Sequence, residues 1–213
     1  MRKTVAAVTG CLLIAASAML AQTPAKEPPK PQTPPAAGHE AMPHAARSSS
    51  MSDAAKIKLA MSAGPADISR HAAIMEPGPG GKMKELRAGT NGWMCMPAPE
   101  VMCLDKEWQS WADAWMSKTD PSIKGVGIGY MLQGDKGASN TDPFATAPTA
   151  DNHWVVSPAH VMVLTPNTAM LDSLPTDPHT GGPFVMWKGT KYAHIMVPTA
   201  AMPKPAAAGA GAK

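Results

Sequence analysis

Hydrophobic and polar positions change rhythm several times along this chain, and each change predicts an element. After a basic start at Arg2 and Lys3, the run from Val5 to Leu20 is almost continuously apolar, and small residues then lead into the polar Gln22-Thr23-Pro24. That is the layout of a secretory signal peptide over residues 1–21, with exit after Ala18 or Ala21. A membrane anchor is the competing reading. The apolar run is short for a span, which needs roughly 18 such residues or more, and no basic stop follows it.

Further along, Ser52 is placed to cap a short helix from Asp53 to Ala63 that Gly64-Pro65 would end, so residues 51–65 read as one helical unit. Ile68 to Met75 and Met83 to Met96 are expected to be strands, joined across Pro77-Gly78-Pro79-Gly80-Gly81. Asp105 then caps the principal amphipathic helix, which runs to Lys118 and stops at Asp120-Pro121. Trp108, Trp111, Ala112, Trp115 and Met116 share one stripe of it, with Lys106 and Asp113 off the stripe. Such a stripe is either core or a stacking platform for a ligand. Beyond the helix the apolar runs shorten: Val126 to Leu132, His160 to Leu164, Phe184 to Trp187 and His194 to Val197. Glycines at 125, 127 and 129 mark the first of these as a place of close backbone approach or of a helix packed over small residues. One principal helix beside about four to six short strands, with no βαβ rhythm, predicts an α+β fold with a small antiparallel or mixed sheet.

Composition then sets the boundaries. All ten aromatic residues lie between Trp93 and Tyr192, whereas residues 22–50 hold seven prolines and no aromatic. Aromatic side chains dominate core burial. Residues 66–199 are therefore expected to fold, residues 22–50 to form a Pro-rich disordered linker, and residues 200–213 an Ala/Pro/Gly-rich disordered tail. Charge follows the same division. The whole chain carries a formal +3, but residues 66–199 hold ten Lys/Arg against thirteen Asp/Glu. The basicity lies outside the predicted domain, which argues against a nucleic-acid partner. No segment after the signal is long and apolar enough to span a membrane.

Three cysteines are present, and Cys11 leaves with the signal. Cys95 and Cys103 then remain in an oxidising compartment and read as one disulfide, closing a loop worth roughly 2–3 kcal/mol. The alternative, a pair of metal-binding thiolates, lacks the C-x-x-C spacing of a zinc knuckle.

Four strings carry a resemblance: LRAGTNGWMCMP from Leu86, MCLDKEWQSWADAWM from Met102, GIGYMLQGDKGASNTDPFAT from Gly127 and GGPFVMWKGTKYAHIMVP from Gly181. Together they resemble a group of secreted bacterial proteins to which no activity is attached. The likeness runs over about residues 56–198 and includes a helix-like AMSAGPADISRHAAIM stretch from Ala60. It implies export to the bacterial envelope or medium and a single domain, and it implies no mechanism.

The candidate chemistry is sparse. Seventeen methionines are the oddest figure in the composition. Met94, Met96 and Met102 flank the cysteines, and His39, Met42 and His44 form a second group; thioethers and imidazoles are soft ligands suited to Cu(I). Methionine also fills cores as a pliable hydrophobe. The second candidate is a pair of polar loops. Asp135, Asn140 and Asp142 lie in one, Asp177 and His179 in the other, and both contain Thr-Asp-Pro. Their oxygens suit Ca2+ without matching an EF-hand, or they serve as Asx turns. A small hydrolase would have its site in the two Thr-Asp-Pro loops, and His194 beside Tyr192 and Asp142 would make an acid–base set, whereas a histidine in a short apolar strand is commonly a satisfied core group. Ser157 and His160, three residues apart across Pro158, do not by themselves define a triad. No nucleotide loop, G-x-S-x-G elbow or H-E-x-x-H motif occurs. These readings combine into an exported binding or envelope-associated module with an unidentified protein or small-ligand partner. Cofactors are not required, Cu(I) and Ca2+ being the two ions the residues admit. A periplasmic copper-handling protein and the hydrolase are the alternatives.

Overall fold

A computed structural model describes residues 51–203. The expected signal peptide, the 22–50 linker with His39, Met42 and His44, and residues 204–213 of the tail lie outside the described residues.

Helix α1 (Asp53–Met61) begins where Ser52 accepts a hydrogen bond from the Ala55 amide. Pro65, with its φ preset near the helical value, opens a one-turn helix α2 (Ala66–Ser69) where a strand was expected. The chain becomes extended only at β1 (Ala73–Pro77), which turns back through β2 (Met83–Arg87).

The expected strand Met83–Met96 divides in two. Gly89 lies directly on the Ala72–Ala73 backbone, where a Cβ would collide, and Thr90 N donates to His71 O at 2.8 Å. The chain thereby crosses β1, and β3 (Met94–Met96) pairs with it in parallel on the other side. The order continues antiparallel through β4 (Met102–Leu104), β5 (Gly127–Met131), β8 (His160–Leu164), β10 (His194–Pro198) and β9 (Phe184–Met186). A two-stranded ladder of β6 (Ala138–Ser139) and β7 (Trp154–Val155) stands apart from this eight-stranded mixed sheet. The fold is α+β, and its sheet has more strands than the apolar runs predicted. Several strands are only two or three residues long and carry no period of their own.

Both faces of the sheet are covered. On one, Ala60 of α1 and Ala63 just past its end pack against Ile74 and the Cys95–Cys103 disulfide, which joins directly opposed residues of β3 and β4. Lys56 reaches Glu76 at 2.7 Å with both side chains nearly buried, fastening α1 to β1. On the other face, α3 (Lys106–Met116) lies across β4 and β5. Trp108 and Trp111 are buried there, while Trp115 is half-buried under Phe144, so most of the tryptophan stripe is core. The helix comes this close because β5 has a glycine floor. A Cβ on Gly127 would sit 2.9 Å from Glu107 Cβ and 3.0 Å from Leu164 Cδ1. Among the described residues no helix is long and apolar enough to cross a membrane.

Gly127→Ala is expected to cost about 1–3 kcal/mol by overpacking. Gly125→Ala, whose Cβ would meet only Glu107 Oε1 at 3.9 Å, should change little. Urea unfolding of both variants checks this, and equal losses would refute the glycine-floor account.

Candidate functional site

The residues nominated from sequence separate into distinct environments. Asp142 Oδ1 accepts from Phe144 N, and Asp177 Oδ1 accepts from His179 N, each at 2.9 Å. Both carboxylates thus close Asx turns at the surface. Asn140 joins the two loops: its Nδ2 donates to Thr176 O at 2.7 Å, and its backbone carbonyl accepts from Trp187 N. His194 is not part of those loops. It is enclosed edge-on by the rings of Trp108, Trp111 and Trp187 at 5.0–5.6 Å. Met94, Met96 and Met102 point to the Trp108 side of the sheet and are half-buried there. Cys95 and Cys103 are disulfide-bonded, so neither is a thiolate ligand.

Burial pushes the His194 imidazole down to about 4; its hydrogen bond with the Tyr192 carbonyl opposes this, and neighbouring His160 reinforces it. The group is neutral when folded and basic, near 6.5, when unfolded. Stability is therefore complete above about pH 6.5 and is lost as pH falls toward 4.

One end of the sheet holds a constellation that periodicity alone did not join. Met96 faces Met102 across β3–β4, and Met131 faces His160 across β5–β8. Leu104 pairs with Gly129 and Cys103 with Tyr130, and one more step of that register brings Met102 beside Met131. Three thioethers and one imidazole thus follow one another across four strands on the same face, beyond the glycines that α3 covers. Met131 is 5% exposed and His160 0%.

Two loops meet at this end of the sheet. Gly134, at φ +70°, lies against the Ser157 carbonyl, where a Cβ would come within 2.8 Å. Asp135 holds the Ser157 segment twice: its amide donates to Ser157 O at 3.0 Å, and its Oδ1 accepts from Ser157 N at 2.8 Å and from Gly137 N at 2.9 Å. Glu100, in the β3–β4 loop, has its carboxyl pushed up by burial; Lys136 opposes this and Asp135 adds to it, so these three charges share the rim.

His160 Nδ1 lies 2.7 Å from Pro158 O. A carbonyl only accepts, so Nδ1 carries the proton and Nε2 presents a lone pair. Burial lowers the basicity of the ring, against the opposing pull of the Pro158 carbonyl and Asp135. Nε2 is buried with no hydrogen-bond partner, and so is Ser157 Oγ. Among the described residues the other such atoms are Trp111 Nε1 and Asn140 Oδ1. Nor do three or more His, Cys, Asp or Glu side chains gather there as a metal set. Two surface clefts, of about 420 Å³ beside Asp172 and Lys188 and about 230 Å³ beside Asn91 and Asp105, contain none of the nominated residues.

The signals for this site were present but dispersed. Ser157 and His160 were visible as a pair, and Met131 lay in an apolar run; their neighbours depend on strand register. No family model matches the chain, and no curated protein or solved structure matches it either.

Two measurements follow. Between pH 7.5 and 4.5 the wild type should lose about 2–3 kcal/mol more than His194→Phe in urea unfolding. Parallel losses in the two proteins would remove His194 as the cause. Ser157→Ala should raise stability by about 0.5–1 kcal/mol, since it removes a buried hydroxyl without a partner; a clear loss would mean that the hydroxyl is satisfied.

Proposed function

We propose that this chain is an exported binding module whose ligand site is the sheet end around His160, and that the ligand is a small cation. The observation that carries the reading is the pair of buried, unpartnered acceptors, His160 Nε2 and Ser157 Oγ, beside Asp135, which accepts from Ser157 N. Native interiors rarely leave such atoms unpaired, and those that do often mark a ligand position. Two carboxylates against the single Lys136 leave the rim net negative, which favours a cation over an anion. Export is supported by the signal-like start and by a disulfide, a bond that persists outside the reducing cytosol.

Calcium between the two Thr-Asp-Pro loops is a second reading with one observation in its favour. Asn140 Oδ1 is a buried acceptor without a partner at the junction of those loops.

Titration of the isotopically labelled full chain with Cu(I), Ag(I), Zn2+ and Ca2+ separates these readings through its amide NMR spectrum. Binding at the sheet end should move amides of residues 97–101, 132–137 and 156–160. Shifts centred on residues 140–144 and 176–180 would favour the calcium reading. A panel that moves neither set would overturn both.

A further inference from the structure

We infer that the ion bound at the sheet end is Cu(I), held by the Sδ atoms of Met102 and Met131 and by Nε2 of His160, with Met96 as the outer thioether. This rests on the binding-module reading and names its ligand.

The imidazole is already arranged as a ligand. Metal-bound histidines characteristically donate their second ring N–H to a carbonyl or carboxylate, which fixes the tautomer and the ring plane. Pro158 O does this for His160 at 2.7 Å, and the opposite nitrogen has no protein partner in a fully buried position. A core that needed only volume there would be served by leucine, without desolvating a nitrogen lone pair.

The companions are soft. Directly opposed side chains on one face of an antiparallel ladder have Cβ atoms about 4.5–5.5 Å apart. Met131 is flanked by His160 on one strand and by Met102 on the other, so register places two thioethers and one imidazole side by side on one face. Met96 lies one strand further out, opposite Met102. Two or three thioethers with one imidazole suit a monovalent soft ion, whereas Zn2+ and Ca2+ call for thiolate, several imidazoles or oxygen ligands. The disulfide has removed the thiolates, and among the described residues no carboxylate–imidazole set competes. Asp135, held beside the Ser157 segment, offsets the single positive charge that the neutral ligands leave in place.

This placement shifts the copper site away from Met94 and the cysteines. Met94 faces Leu104, not another soft ligand.

The test is anaerobic competition of the full chain against a chromogenic Cu(I) chelator. One Cu(I) per chain is expected. The double variant Met102→Leu/Met131→Leu keeps core volume and should weaken binding by about 100-fold or more. Met83→Leu/Met170→Leu, at exposed positions, should leave it unchanged. In nitrogen-detected NMR, Ag(I) should move the His160 Nε2 resonance strongly and Nδ1 little. Equal affinity in wild type and the Met102/Met131 variant, or an unmoved Nε2, would overturn the assignment. If Zn2+ or Ca2+ shifts the sheet-end amides and Cu(I) does not, the binding-module reading stands and copper falls. If no cation shifts them, both fall.

Discussion

Asp105 is where helix and sheet are locked together. Its Oδ1 caps α3 through the Trp108 amide at 2.9 Å, and its Oδ2 accepts from Ile128 N of β5 at 2.5 Å. Its own amide donates to Ile128 O. One carboxylate therefore sets both the start of α3 and its height above the strand. A helix held so close needs a floor without side chains, and Gly127 and Gly129 provide it. Trp108 then rests over Gly129 and donates to Met162 O at 3.2 Å, while Trp111 stacks on Trp187 from the far edge of the sheet. The indole cluster that encloses His194 follows from that approach.

The same geometry leaves the sheet end to be closed differently. Residues two positions beyond the glycines along β5 and β8 lie outside the part of the strand that α3 overlies. Loops meet there instead, and Asp135 spends its amide and one carboxylate oxygen on holding those loops. A helix brings a continuous apolar stripe, whereas loops bring backbone carbonyls and charged side chains. The two buried histidines differ accordingly. His194 lies among indoles, while His160 lies opposite Met131 with the Asp135 carboxylate nearby.

Much of the architecture was legible because it depends on local chemistry. Ser52 and Asp105 cap the helices they were expected to cap; the glycines of β5 mark a close approach, and the two remaining cysteines are bonded. Asn140, Asp142, Asp177 and His179 were also legible as turn-forming loops, though not the bond by which Asn140 ties them together. Misreadings arose where a distant strand decides the outcome. Met83–Met96 was expected as one strand, and only the crossing at Gly89 divides it.

By itself the sequence determined the two capped helices, their caps and the disulfide partners, because each rests on residues within about a turn or a hairpin of one another, and with them the α+β class; the one-turn helix α2 was not among them. Tertiary structure alone decided which side chains meet across strands. Met96, Met102, Met131 and His160 are spread over more than sixty residues, and no local period links them. Register brings them into one row, and a slip of one residue would send a strand's share of that row to the opposite face. The candidate site is a property of strand pairing, whereas the helices and turns are properties of neighbouring residues.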